Sequence, residues 1–359
     1  MPGGEERAVE DLAWLIETEL GEEASVLTRD SAHLGSGRAA TGLLAGGLRA
    51  RTVAEAVRRS GARVVHAHNV HPAFGWRALA AAREAGARVV LHLHNYRLVC
   101  AVGTCFTRGE DCTRCHGRNT APGVALRCRG SVPEAVVYGA ALSLWQRRLV
   151  ESVDAFVVPS AFALGRLRDL GAPVGDRARV IPSVQRTFAA ASSAADGGYA
   201  LAAGRLSPEK GIADAIAACA RAGVPLVVAG DGPQAEELHA LAGPDVRFTG
   251  RVTPGELAAL RRGAALAIVP SRYAEILPLA ALEAMAAGLP VVAARAGGLA
   301  EAVPAEGLYS PGDVSALAQR VRALFGDAGA GERALAAARE RYAPEAVAAA
   351  LRDVYKAGH

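Results

Sequence analysis

Two glutamates, Glu275 and Glu283, flank seven residues in the run SRYAEILPLAALEAMAAGLPVVAARAGG, Ser271 to Gly298. A carboxylate can accept hydrogen bonds from both hydroxyls of a vicinal diol, so such a pair suits sugar and ribose. Pro278 lies between them, and proline is favoured where a helix begins because its missing N–H would have no helical partner there. A helix is therefore expected to start at about Leu277 to Leu279, with Glu275 in the loop ahead of it and Glu283 in its second turn. The amides of Leu279 and Ala280 would then be unpaired, and free N–H groups at a helix start suit phosphate. Leu279, Leu282, Ala286 and Leu289 recur at helical spacing and should face a core. On this stretch alone an ordinary core helix with Glu283 on its solvated face is equally open.

A second stretch, GRLSPEKG from Gly204 to Gly211, follows a strand-like run, Tyr199 to Ala203. It places Arg205 and Lys210 in a loop ahead of a helix, and both side chains bind phosphate, arginine as a planar fork and lysine as a compact charge. Lysine is otherwise found only at Lys356, so an ammonium at 210 stands against an arginine-rich background. A solvated turn with two stray bases is the plainer alternative. A third stretch, Val227 to Pro233, reads as a buried strand ending in the turn Gly230-Asp231-Gly232, where a nucleotide could approach the backbone closely.

Taken together and in this order, GRLSPEKG, GDGP, EILPLAALE and EAMAAGLPVVA with its following Gly-Gly resemble the C-terminal half of retaining glycosyltransferase family 4, which has the GT-B fold. The resemblance implies two Rossmann-like, doubly wound parallel-sheet α/β domains facing a cleft, with a C-terminal helix crossing back to the first domain. It implies that Arg205 and Lys210 hold the diphosphate of a nucleotide-sugar donor, and that Glu283 binds the ribose. Glu275 would contact hydroxyls of the transferred sugar, and the backbone of Leu277, Pro278, Leu279 and Ala280 would cradle the phosphates. Gly204, Gly230 and Gly232 join this donor-binding set.

Stepping outward along the chain, strand-like runs alternate with helical patterns, the signature of parallel α/β sheets. Expected strands are Ala24–Thr28, Arg63–Ala67, Arg88–Leu93 and Ala155–Val158 in the first half. In the second half they are Tyr199–Ala203, Leu226–Ala229, Val246–Thr249, Leu266–Val269 and Val291–Ala293. The expected division is an acceptor-side domain at 1–184, a linker rich in Ala, Ser and Gly at 185–198, a donor-binding domain at 199–343 and a crossover helix at 344–359. In the family a glycine turn follows the first strand and approaches the donor phosphate; here Gly3 and Gly4 match it, but only Met1 and Pro2 precede them. The expectation is that the start was placed too late rather than that the strand is lacking. One departure from the family pattern is Ser183, where Asn is usual after Val180-Ile181-Pro182.

With 359 residues the chain is long enough for two domains. A net charge of +4 argues against a dedicated nucleic-acid binder. No apolar run of about 18 residues or more suggests a membrane span, and no signal-peptide pattern opens the chain, so a cytoplasmic protein is expected. Between Arg63 and Arg148 twelve Arg face four acidic residues. That is either a solvated surface or a face for anionic groups, which leaves peripheral contact with the inner membrane face open.

His66, His68, His71, His92 and His94 gather at the ends of two expected strands, where α/β folds place ligands. His-x-His repeats suggest a metal, but the run VVLHLHNYR resembles the family's strand ending in His-Asn. The resemblance makes His94 a donor-sugar contact near the reaction centre and leaves His92 a hydrogen-bonded core residue; His68 and Asn69 are candidates to touch the acceptor. Cys100, Cys105, Cys112, Cys115 and Cys128 fall within 29 residues, and Cys112-x-x-Cys115 has zinc-ligand spacing. A subset of the family carries a similar insertion after HNYR, at positions 100–128 here. The matching residues Cys100, Cys112, Cys115 and Cys128 would form a structural zinc site, with Cys105 as an extra; free thiols or disulfides stay open.

The function expected from the resemblance is transfer of a sugar from a nucleotide-sugar donor to an acceptor hydroxyl with retention of configuration and no catalytic metal. Arg205, Lys210, Glu275 and His94 would be the catalytic set. As the glycosidic bond breaks, negative charge builds on the leaving diphosphate, and the two cations and helix amides stabilise it most in the transition state. The acceptor, a glycan, a lipid-linked sugar or a small molecule, is not legible. A non-catalytic nucleotide-sugar-binding protein of the same fold and a GT-B nucleotide-sugar epimerase are the alternatives.

Overall fold

The computed structural model describes residues 4–29 and 35–356. They form two compact units, one made of residues 4–11, 108–111 and 182–347, the other of 12–29, 35–107, 112–181 and 348–356.

The second of these is built on four parallel strands, β1 (Val64–His68), β2 (Arg88–His92), β3 (Ala155–Val158) and β4 (Ala178–Val180), side by side in that order. Helices between consecutive strands, such as Gly75–Glu84 and Val132–Glu151, supply the crossovers that parallel pairing requires. Val89, Val90, Phe156, Val157 and Val158 have no solvent-exposed surface, so the central strands read as unbroken apolar runs.

The other unit carries a six-stranded parallel sheet. Its strands are β5 (Tyr199–Ala203), β6 (Leu226–Ala229), β7 (Val246–Gly250), β8 (Ala264–Val269), β9 (Val291–Ala294) and β10 (Leu308–Tyr309), in the spatial order β10-β9-β8-β5-β6-β7. Alternate residues feed opposite layers. Ala200, Ala202, Leu266, Ile268 and Val292 enter a core with Leu317 and Val321, while Leu201, Ala267, Val269, Val291 and Ala293 enter one with Leu282, Met285 and Ala334. That period of two, apolar on both sides, is what a sheet covered on both faces demands. The chain runs outward from β5 towards β7 and outward from β8 towards β10. The topological switch point thus lies between β5 and β8, and in open α/β sheets ligands bind beyond the carboxyl ends of the strands at that point.

The segment Ala24–Thr28 is not a strand. It is irregular, with Val26 55% and Leu27 39% exposed. No described segment pairs with it, and extended backbone holds only where a neighbour takes its hydrogen bonds. Four strands went unanticipated, Phe106–Thr107, Glu110–Asp111, Ala178–Val180 and Leu308–Tyr309, all too short for a period of two to show. None of the described helices is long and apolar enough to cross a membrane.

Candidate functional site

The loop after β5 and the loop after β8 meet at the switch point. Ser207 to Gly211 turns through a short 3-10 segment, Pro208–Lys210, into the helix Ile212–Ala222. Gly211 has φ 67°, and a Cβ there would stand 2.1 Å from the Pro270 carbonyl oxygen. Only glycine lets these two loops touch, and the contact brings Lys210 over the second loop. That loop is itself tied down: Arg272 forms a bidentate pair with the buried Asp214, Nε to Oδ2 at 2.9 Å and a terminal nitrogen to Oδ1 at 2.6 Å, and its N–H donates to the Glu209 carbonyl at 2.8 Å.

Glu275 sits at the centre of the result, with a side chain 6% exposed. Lys210 Nζ donates to its Oε1 at 2.6 Å and Ser271 Oγ to the same oxygen at 2.5 Å, while the Tyr273 hydroxyl donates to Oε2 at 2.7 Å. Its main chain is fixed too, since the Gly298 N–H donates to the Glu275 carbonyl at 2.7 Å. Three donors on four lone-pair positions leave the carboxylate one acceptor position for an incoming hydroxyl. Lys210 Nζ also reaches the Tyr273 hydroxyl at 3.4 Å, which leaves an N–H for an anion. Ser271 and Tyr273 were not foreseen. They lie four and two residues before Glu275 in a bent loop, and that bend, which periodicity does not report, turns their hydroxyls onto its carboxylate.

The helix Leu279–Ala286 follows, with Pro278 as its extended N-cap rather than its first residue (φ −77°, ψ 118°) and no side-chain cap. Its first amides, those of Leu279 and Ala280, have no intrahelical acceptor. Leu277 is half-buried. Leu282, Ala286 and Leu289 are buried as the periodicity required, and Leu279 is half-buried.

Glu283 is neither on a solvated face nor free. Its Oε2 is paired with Arg261 and its Oε1 lies 3.3 Å from Arg7 Nε. Arg7 in turn approaches Asp11 at 3.8 Å, and Asp11 Oδ1 lies 2.5 Å from Arg186 Nε. Burial pushes the Asp11 carboxyl up, partly offset by Arg186 and Arg7. Burial likewise holds the Arg261 guanidinium below its usual range, against the pull of Glu283. The chain of three arginines and two acids carries one positive charge in excess, while each Glu283 oxygen keeps a second lone pair for a diol. Arg7, Asp11, Arg186 and Arg261 were all missed, because their partners lie tens to hundreds of residues away in sequence.

Arg205 is exposed and makes no side-chain hydrogen bond or ion pair among the described residues, so it does not join Lys210 and Glu275. Gly230 and Gly232 have a packing explanation, whereas a Cβ at Gly204 (φ 154°) would meet nothing within 4 Å. Gly230 (φ 144°) would put a Cβ 1.9 Å from the Gly204 carbonyl oxygen, and Gly232 would put one 2.4 Å from the Leu206 carbonyl oxygen. Gly4 opens the helix Gly4–Leu15, with its Cβ position 3.7 Å from Leu279 Cδ1; Gly3 lies outside the described residues.

In the four-stranded unit, His94 follows β2, and its Nε2 lies 2.7 Å from His68 Nδ1. His94 also lines a pocket with Asn69, His71, Asn95, Arg97 and Trp145. His92 is buried, but neither ring nitrogen has a partner among the described residues, so it is not the hydrogen-bonded core residue expected. All five clustered cysteines line one small pocket as free thiols. Cys105, the expected extra, is 1% exposed, and its hydrogen bond to Cys100 is the largest influence drawing the Cys100 thiol down to about 6. Among the described residues the thiols form no group of three within 4.8 Å of one another, so as placed they do not converge on one point.

Residues 3–183 match the family described as glycosyl transferase 4-like domain, and residues 198–327 match glycosyl transferases group 1. The chain is 41% identical over 171 residues to a glycogen synthase of Mycobacterium tuberculosis, covering 43% of this chain and 41% of that protein. It is 33% identical over 256 residues to a D-inositol 3-phosphate glycosyltransferase of Acidothermus cellulolyticus, covering 62% and 56%. The chain thus spans less than two thirds of the length of either relative. The Anabaena protein Alr3699/HepE, solved in complex with UDP-glucose, superposes with a TM-score of 0.65 at 18% identity over 98% of this chain and 96% of that one, which shows the fold. With one profile over half its length and the other over the six-stranded sheet, the chain belongs to the group 1 glycosyl transferases, with a glycosyl transferase 4-like N-terminal domain and the GT-B fold.

Proposed function

We propose that the chain transfers a sugar from a nucleotide-sugar donor to an acceptor hydroxyl, with retention of configuration and without a catalytic metal. The observation that carries the proposal is the meeting of Lys210 and Glu275 at the switch point, with Ser271 and Tyr273 holding the carboxylate and the open amides of Leu279 and Ala280 a few residues on. An ammonium and helix amides suit a diphosphate, and a carboxylate with one acceptor position left suits a sugar hydroxyl. Glu283, steered by Arg7 and Arg261, is assigned the ribose. Arg205, exposed on the neighbouring loop, is assigned the outer phosphate. When the glycosidic bond breaks, the leaving diphosphate gains charge, and Lys210 and the amides stabilise it more than they stabilise the intact donor.

The Anabaena neighbour binds UDP-glucose, and both curated relatives are named for glycosyl transfer or glycan synthesis, which supports this class of donor. We assign donor binding to 199–343, the acceptor side to 1–184 and the connection to 185–198. His94 enters the catalytic set through the family resemblance, and the pocket it lines with Asn69, Arg97 and Trp145 is our candidate for the acceptor. We assign the chain to the family subset with a cysteine-rich insertion, on the cysteines of residues 100–128. A structural zinc there would draw Cys100, Cys112, Cys115 and Cys128 together within the pocket they already line, and the depressed Cys100 thiol favours the thiolate form a metal needs.

A panel of nucleotide sugars screened by thermal shift tests the proposal, since a ligand that binds only the folded chain raises its melting temperature. Stabilisation by one nucleotide sugar and its nucleoside diphosphate is expected. No stabilisation by any member of the panel, in protein that unfolds cooperatively, would overturn it.

A further inference from the structure

Four imidazoles stand on one face of the four-stranded sheet. His66 and His68 are two residues apart on β1, so their side chains share a face. In the parallel register His68 lies beside His92 of β2, and His94 continues the same alternation. The rings pack as a cluster, with centroids 4.9 Å apart for His66 and His68, 5.0 Å for His68 and His92, and 4.1 Å for His92 and His94.

Their hydrogen bonding is incomplete in a specific way. Of the seven buried side-chain nitrogen and oxygen atoms without a partner among the described residues, three belong to this cluster: His66 Nε2, His92 Nδ1 and His92 Nε2. His92 is only 8% exposed. Buried polar atoms are almost always paired, so orphans gathered at one place call for an occupant, and a single ion could take His66 Nε2 and one nitrogen of His92. The outer nitrogens, by contrast, are taken: His66 Nδ1 lies 2.7 Å from the Tyr355 hydroxyl and His68 Nδ1 lies 2.7 Å from His94 Nε2. Ligating histidines typically use one ring nitrogen for the metal and the other for an orienting partner. One ring nitrogen each from His66, His68 and His92 lies within 4.8 Å of the other two, the one such group among the described residues.

We propose that His66, His68 and His92 bind a divalent transition-metal ion of the zinc class, with Tyr355 and His94 as the partners that orient two of the ligands. Three neutral imidazoles are a donor set for zinc, cobalt, nickel or copper rather than for magnesium or calcium, which require oxygen. They leave a fourth position open for water or another ligand. The site lies wholly within the four-stranded unit, shares His94 with the transfer chemistry proposed above, and is separate from the cysteine pocket.

The test uses the chain freed of metal by a chelator, in a Cys112→Ser/Cys115→Ser background that removes the cysteine pair. Titration with cobalt(II) and zinc(II), followed by absorbance and calorimetry, is expected to show one ion per chain. The visible cobalt bands should appear without the near-ultraviolet band of a cobalt–thiolate bond. His92→Phe should weaken binding at least a hundredfold, and Tyr355→Phe about ten- to a hundredfold, as for loss of an orienting partner. Should either background prove unstable, zinc-edge X-ray absorption on the parent chain loaded with two equivalents decides. Imidazole nitrogen in the first shell is expected, and a shell of sulfur alone at that loading overturns the proposal. Absence of stoichiometric binding, or binding that His92→Phe and Tyr355→Phe leave unchanged, overturns it as well.

Discussion

Replacing Lys210 by alanine separates two roles that the structure merges in one ammonium. In the folded chain Lys210 neutralises Glu275, whose side chain is 6% exposed, while Lys210 itself is 28% exposed. Breaking a fully buried ion pair costs about 3–5 kcal/mol, because a charge is left unpaired. Here water can reach the vacated position, and Ser271 and Tyr273 still donate to the carboxylate. The expected loss is therefore lower, about 1–3 kcal/mol, or roughly 2–12 °C in melting temperature for a unit of this size. If Lys210 also carries charge developing on a leaving diphosphate, turnover falls further, by about tenfold to a thousandfold, as for loss of one stabilising donor. The assay compares Lys210→Ala with the parent at saturating donor, well below the melting temperature of the variant. Nucleoside and nucleoside diphosphate affinities are measured in parallel by calorimetry. The diphosphate should bind more weakly to the variant and the nucleoside unchanged. Full turnover, or equal weakening of both ligands, would refute the direct role and leave Lys210 as a counterion only.

Glu283→Gln keeps the shape of the side chain but leaves Arg261, 8% exposed, without its carboxylate. A stability loss of about 3 kcal/mol in urea unfolding is expected, together with at least tenfold weaker nucleotide binding by calorimetry. Unchanged affinity would remove Glu283 from the ribose role. Gly230→Ala forces a Cβ to within 1.9 Å of the Gly204 carbonyl oxygen at φ 144° and should cost about 2–4 kcal/mol. A parental denaturation midpoint in that variant would show that the two loops do not pack as described.

What the amino-acid sequence settled by itself was whatever local periodicity reports. Runs such as Leu226–Ala229 and Val291–Ala294 are apolar on both faces, and that alone requires parallel strands buried between helices. Pro278 followed by apolar residues at helical spacing fixed the helix at 279, within a residue, and put Glu275 ahead of it and Glu283 inside it. The same reading failed at Ala24–Thr28, where residues suited to a strand find no described neighbour to pair with, and at Leu308–Tyr309, where two residues carry no period. The tertiary structure alone decided who faces whom. Ser271 and Tyr273 on Glu275, Arg7 and Arg261 on Glu283, and Tyr355 on His66 are pairings of segments up to 289 residues apart. Charge and hydrogen bonding act over a few ångströms of space, not along the chain, so the residue type announces a capacity while only the register of strands and the packing of loops selects the partner.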